Sequence, residues 1–358
     1  MSTDRIAQYV RPEIQELHAY QVGKADKLIK LDNMENPYEW EEPVKNGWLA
    51  RMQSVSLNRY PDPEASGLQH KLRQVMNIPG DQGLLLGNGS DELIQIICLA
   101  LSRPDATLLS VTPAFVMYKM TAIFAGMKYS SVELNEDFSL NLEATLAKIK
   151  QTRPAVVFIA YPNNPTGNLF NEDDVCKIIE ASPGLVVIDE AYYAFADASF
   201  DKYLSRYDNM IVMRTVSKMG LAGLRLGYMM GNPQWINELN KVRMPFNINC
   251  LTQASVEYAL ENVEMFNRQT QKLCENREWL FAEMQKITSI HCYPTKTNFI
   301  LFKTEAGQAT RIFDGIKKAG VLIKNLTANG GALTDCLRVT IGKEEQNAAF
   351  LNALQESL

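Results

Sequence analysis

From residue 84 onward, short uninterrupted apolar runs recur, and helical patterns separate them. The runs are "LLL" (84–86), "TLLSV" (107–111), "AVVFIA" (155–160), "LVVID" (185–189), "MIVMRT" (210–215) and "LRLGYMM" (224–230). A strand with one wet face alternates polar and apolar residues. These runs do not alternate, so both faces of the sheet they form must be covered. After the first run, Leu93, Ile96, Ile97, Ala100 and Leu101 fall on one helical face. Strand–helix alternation of this kind predicts an open α/β sheet whose ligands gather at the carboxyl ends of its strands.

The texture changes near residue 250. A long helical stretch from Thr252 to Lys286 precedes "NFILFK" (298–303), a helix over 309–319, "VLIKNL" (321–326) and "CLRVTIG" (336–342), a smaller α+β lobe. The first 45 or so residues hold isolated apolar positions without a strong period, an arm expected to pack on that lobe. At 358 residues two lobes are the natural division. The expected boundaries are 1–45 for the arm, 46–250 for the large domain and 251–358 for the small one. Acids and bases are interleaved, with a net charge of −5, which offers no basic surface to nucleic acid. Six cysteines without a CxxC pair and only three histidines predict neither a disulfide framework nor a metal site. No signal core or long apolar run is present, so a soluble cytoplasmic protein away from membranes is expected.

Four strand ends carry chemistry. In "LLLGNGSDE", glycines 87 and 89 let the backbone approach a ligand, and Ser90 and Asp91 open a helix whose free N–H groups suit a phosphate. Ser90 as a plain N-cap is the competing reading. "YPNNPTG" (161–167) is a rigid turn that presents amides, among them Asn164. In "VVIDEAY", Asp189 closes an apolar strand where an unpaired carboxylate is costly, and Tyr192 follows three residues on. Asp189 is either a cap or ion-paired loop residue, or a carboxylate that faces a buried cation. In "TVSKMGLAGLR", Lys218 stands beside Thr215 and Ser217, with Arg225 seven positions later.

Singly, each has a structural explanation; together in one crevice they match pyridoxal 5′-phosphate. Lys218 would condense with the aldehyde and Asp189 would keep the pyridine nitrogen protonated. Asn164 and Tyr192 would bind the phenolic oxygen. Arg225, Thr215, Ser217 and the amides of Ser90 and Asp91 would clamp the phosphate, and Phe115 would stack on the ring.

These motifs, with "LDNMENPY" (31–38), "NRYPDP" (58–63) and "CLRVTIG", occur in the order found in fold-type I pyridoxal-phosphate aminotransferases, and the chain most resembles their histidinol-phosphate branch. The resemblance spans nearly the whole chain. It implies an α/β fold with a mostly parallel seven-stranded sheet in the large domain, a smaller α+β domain and an N-terminal arm. It also implies a homodimer with shared sites, in which Tyr60 reaches the partner's cofactor phosphate. Arg338 would bind the substrate's anionic end, with Tyr20, Lys324 and Asn36 as further contacts. The implied reaction interconverts L-histidinol phosphate and imidazole-acetol phosphate, with 2-oxoglutarate and L-glutamate as the second pair. Lys218 and Arg225 stand seven apart where many relatives have eight, and Lys324 replaces a common arginine; the first departure predicts a shortened loop that leaves Arg225 in place. An aromatic amino-acid aminotransferase and a phosphothreonine decarboxylase share the cofactor residues and differ at the substrate end. A regulator with an aminotransferase-like domain would need a DNA-binding segment, for which the sequence shows no basic helix.

Overall fold

The computed structural model describes residues 2–18 and 27–358. Its strands are β1 (Ile29–Lys30), β2 (Gly83–Asn88), β3 (Thr107–Thr112), β4 (Lys128–Glu133), β5 (Val156–Ala160), β6 (Leu185–Asp189), β7 (Met210–Thr215), β8 (Leu226–Gly231), β9 (Ile290–Cys292), β10 (Phe299–Thr304), β11 (Val321–Leu322), β12 (Lys324–Asn325) and β13 (Cys336–Thr340).

Seven of them form one sheet in the order β2-β8-β7-β6-β5-β3-β4. All run parallel except β8, which is antiparallel to β2 on one side and β7 on the other. The continuous apolar runs are the middle of this sheet, and successive residues divide between its faces. Phe158, Val187, Ile211 and Met213 pack on one side with Leu93 and Ile97 of the helix Ser90–Leu101. Val157, Ile159, Val186, Ile188 and Val212 pack on the other with Val175 and Ile179 of the helix Glu172–Ala181. Each such side chain removed from water contributes about 1.5–3 kcal/mol, which is why no polar residue interrupts β5 or the body of β6.

One strand of this sheet is absent from the apolar runs. The edge strand β4 reads KYSSVE, and only Val132 in it is buried. With one neighbour and a wet face it needs little apolar content.

A second sheet, β12-β13-β10-β9, is antiparallel throughout. Phe299, Phe302, Leu337 and Val339 pack there with Leu280 and Met284 of the helix Val263–Gln285 and with Phe350 of the helix Glu344–Ser357. The run 321–326 is divided at Ile323. β11 pairs in parallel with β1, whereas β12 pairs with β13. The long helical stretch is also divided, into Cys250–Glu261 and Val263–Gln285, where Asn262 leaves helical geometry and its Nδ2 donates to the Tyr258 carbonyl at 2.9 Å.

The N-terminal segment touches both sheet systems. Arg11 donates to the carbonyl of Phe124 in the helix Val116–Ala125, while Leu31 and Met34 join the apolar cluster of the second sheet. No described helix is long and apolar enough to cross a membrane.

Candidate active site

The parallel strands deliver their carboxyl ends to one edge of the large sheet. Because β8 is reversed, it begins at that same edge. Gly227 at its start pairs with Thr215 of β7 and Gly87 of β2. Ser90, Asp91, Phe115, Asn164, Asp189, Tyr192, Thr215, Ser217, Lys218 and Arg225 consequently line a single cavity, joined by Met34 and Tyr118.

Asp189, the last residue of β6, is buried. Its Oδ2 accepts the hydroxyl of Tyr118 at 2.6 Å and its Oδ1 accepts the N–H of Ala191 at 3.1 Å. Burial pushes the carboxyl up to about 6, and these two donors counter the shift. A carboxylate held here is suited to a cationic partner that returns the lost hydration.

Lys218 sits in the tight turn Ser217–Met219, which Gly220 ends with φ +115°, a conformation that L side chains disfavour. Its Nζ donates to the carbonyl of Asn33 at 3.3 Å and lies 5.8 Å from the centroid of the Tyr192 ring. Burial of the amine, and then the charge of Arg338, push its pKa down to about 8. A lysine so placed has a larger neutral fraction and is the better nucleophile.

Asn164 lies between two of the sequence-selected groups. Its Nδ2 donates to the Tyr192 hydroxyl at 3.2 Å, and its Oδ1 accepts from Arg338 Nη1 at 2.5 Å. Arg338, buried on β13, also donates to the carbonyl of Asp32 and stands over the Phe299 ring at 5.0 Å. Burial raises the Tyr192 phenol above its ordinary range, so it remains protonated.

At the opposite end of the cavity, Gly89 holds φ +80°. A Cβ there would meet Arg225 Nη2 at 2.6 Å, so glycine is what permits the arginine to lie against the start of the helix Ser90–Leu101. Gly89, not Ser90, occupies the cap position, and no side chain caps the helix; the first N–H groups are left to other acceptors. Thr215 Oγ1 lies 2.9 Å from Ser217 Oγ. Arg225 pairs with Asp91 at 3.1 Å. The short connection predicted between Lys218 and Arg225 consists of two tight turns, Ser217–Met219 and Ala222–Leu224.

Three other sequence-selected residues are not among those lining the cavity. Lys324 faces Arg338 across the β12–β13 ladder and is not in the cavity wall. Asn36 is a strap on the lysine turn: its Nδ2 lies 3.2 Å from the Met219 carbonyl and 3.1 Å from Gln269 Oε1. These contacts tie Asn36 to the segment that carries Lys218. Tyr60 is 81% exposed and stacks on Phe246 at 4.5 Å, away from the cavity. Tyr20 falls outside the described residues.

Sequence reasoning missed Tyr118 and the pair Glu190–Arg214. A lone tyrosine within a helix carries no signal until the fold sets it against Asp189. Glu190 and Arg214 form a fully buried ion pair at 2.9 Å, with Arg214 also reaching Asp201 at 2.7 Å. They join the ends of β6 and β7 one residue from Asp189 and Thr215. Among the described residues, no group of histidine, cysteine and acidic side chains could hold a metal.

The description "Aminotransferase class I and II" is matched over residues 26–354. A histidinol-phosphate aminotransferase 2 of Nitrosococcus oceani is 54% identical over 99% of both chains, and a histidinol-phosphate aminotransferase of Chromobacterium violaceum is 48% identical over 98% of both. The crystal structure of a histidinol-phosphate aminotransferase from Sinorhizobium meliloti in complex with pyridoxal-5′-phosphate superposes with a TM-score of 0.86 at 23% identity, covering 98% of this chain and 97% of that one. With its reversed strand, its lysine turn and its strand-end carboxylate, this chain belongs to the class I and II aminotransferase family.

Proposed function

We propose that this protein is a pyridoxal-phosphate-dependent transaminase that interconverts L-histidinol phosphate plus 2-oxoglutarate and imidazole-acetol phosphate plus L-glutamate. The observation that carries the reading is the meeting in one cavity of an amine shifted to about 8, a buried carboxylate and an arginine beside an uncapped helix start. That donor set fits an aldehyde, a protonated pyridine and a phosphate. The extent and level of identity to the Nitrosococcus oceani relative support the substrate.

When bound, the cofactor supplies an aldehyde and an electron-accepting pyridinium ring. Lys218 Nζ, with its enlarged neutral fraction, would be the amine that holds the cofactor at its aldehyde, and the same nitrogen would serve as the base and acid that moves a proton at the substrate's reacting carbon. Asp189 holds the proton on the ring nitrogen. Asn164 and Tyr192 hydrogen-bond the phenolic oxygen, and Phe115 stacks on the ring. Thr215, Ser217, Arg225 and the amides of Ser90 and Asp91 hold the phosphate. Arg338 binds the substrate's anionic end, with Lys324 opposite it on the ladder and Tyr20 as the further contact that the resemblance implies, and Asn36 acts through the lysine turn.

The working protein is read as a cytoplasmic homodimer with an arm (1–45), a large domain (46–250) and a small domain (251–358). Exposed Leu57, Tyr60, Met244 and Leu251 support a self-association surface, and Tyr60 would complete the partner's phosphate site. Steady-state kinetics with histidinol phosphate, phenylalanine and tyrosine test the substrate assignment. Histidinol phosphate should give the highest kcat/KM by more than tenfold, about 1.4 kcal/mol of differential transition-state binding. An aromatic amino acid that matched it would overturn the assignment while leaving the family intact.

A further inference from the structure

Tyr118 occupies the third position of the helix Val116–Ala125, which follows β3. Its ring lies nearly parallel to Phe158 of β5, 4.8 Å between centroids, and meets Phe115 edge-on at 5.7 Å. Only 1% of the residue is exposed. The hydroxyl is thereby aimed at one acceptor, Asp189 Oδ2 at 2.6 Å. Burial, and then the charge of Asp189, raise the phenol well above its ordinary range, so the proton stays on Tyr118 and the tyrosine is the donor. A phenylalanine would fill the same space and keep both ring contacts. What the hydroxyl adds is one short hydrogen bond to a carboxylate in a dry site, the kind that is stronger than a neutral pair.

We propose that Tyr118 is a positioning residue that keeps Asp189 ionised and aimed at the ring nitrogen of the cofactor. The inference rests on the reading of Asp189 given above and goes beyond it by assigning a residue that the strand-end motifs do not contain. Asp189 is fixed from two elements: the Ala191 amide on its own loop holds Oδ1, and Tyr118, from the helix after β3, holds Oδ2. The charges of Asp91 and Glu190 both push Asp189 towards its neutral form, and Tyr118 opposes them.

Equilibrium binding to the cofactor-free protein tests this without turnover. The probes are pyridoxal 5′-phosphate and its analogue with carbon in place of the ring nitrogen. Tyr118→Phe should weaken binding of the natural cofactor about tenfold, the loss of one hydrogen bond to a charged group, and leave the analogue unaffected. Asp189→Asn should also abolish the preference for the natural cofactor, and adding Tyr118→Phe to it should cost nothing more. Tyr118→His retains a donor and should recover part of the affinity; it also serves if the phenylalanine variant does not fold. Equal weakening of both ligands by Tyr118→Phe, or no weakening of either, overturns the role of Tyr118. If Asp189→Asn itself fails to distinguish the two ligands, it is the reading of Asp189 that falls.

Discussion

Replacing Lys218 by methionine should make the cofactor-free protein more stable near neutral pH, and the gain should vanish as the solution becomes alkaline. Methionine keeps the stem and removes the charge. In the folded chain the amine titrates at about 8, against 10.5 for an unperturbed lysine. That difference corresponds to about 3 kcal/mol of disfavoured charge. Solvent reaches part of the side chain and screens it, so about 1–3 kcal/mol is the expected range. The sign follows from proton counting. Between the two pKa values the unfolded chain binds the proton and the folded chain does not, so this contribution to stability rises with pH through that window. Below about 8 both states are protonated and the penalty is present in full. Urea unfolding of wild-type and Lys218→Met protein at pH 7 and pH 9.5, without cofactor, reads the effect directly. The variant should lead at pH 7, and the gap should narrow by pH 9.5. A gap that is zero at both values, or that is equal at both, would mean that the amine is not disfavoured in its charged form. The same shift leaves about one amine in ten neutral at pH 7, against a few in ten thousand for an ordinary lysine. Capture of the cofactor aldehyde should therefore speed up with a midpoint near 8.

The shared site can be tested by subunit exchange. Tyr60→Phe and Lys218→Ala preparations, each impaired alone, should regain activity on mixing, because a heterodimer places both lesions in one site and leaves the other whole; no rise after verified exchange excludes the arrangement. Glu190→Gln should lower stability by about 3 kcal/mol in urea unfolding, because Arg214 is left charged and buried with only the half-exposed Asp201 as carboxylate partner. An unchanged midpoint would show that the pair contributes nothing net.

The centre of the large sheet was legible because burial on two faces writes itself as unbroken apolar sequence. Six of the seven strands carry that mark. The seventh, Lys128–Glu133, does not: unlike Gly83–Asn88 at the other edge, whose residues are mostly buried, it leaves most of its side chains partly exposed and is held chiefly by its backbone ladder to Thr107–Thr112. The run 321–326 reads as a single strand, yet Val321 and Lys324 pair with different partners. Nothing in six residues specifies that Leu31 and Arg338 lie on either side of them. Within the site, residues at strand ends were visible because polar groups after apolar runs stand out. Tyr118 did not stand out, because an aromatic on an apolar helix looks like core, and most of its surface is core. For Asn36 a motif gives the residue and the neighbourhood, whereas the contacts of its amide depend on Met219 and Gln269, far away in sequence. Arg214 was read as part of an apolar run; its charge is tolerated there because Glu190, just past the end of the neighbouring strand, and Asp201 both pair with it.

The reversal of β8 makes part of the site a ruler built from covalent bonds. The separation of Asp189 from Asn164 depends on the spacing of neighbouring strands, about 4.8 Å per step, which the whole sheet maintains. The separation of Lys218 from Arg225 depends instead on one short connection that leaves β7 and re-enters the same edge as β8. A parallel β8 would have required a crossover to the far end of the sheet and would have removed Arg225 from this edge. The two kinds of spacing respond differently to change. Substitutions in the core strain every strand-borne group together, whereas adding or deleting a residue between 219 and 224 would move the amine relative to the phosphate end and leave the carboxylate and the amide where they are. Loop length in that one segment is therefore an independent adjustment of how the lysine meets its ligand.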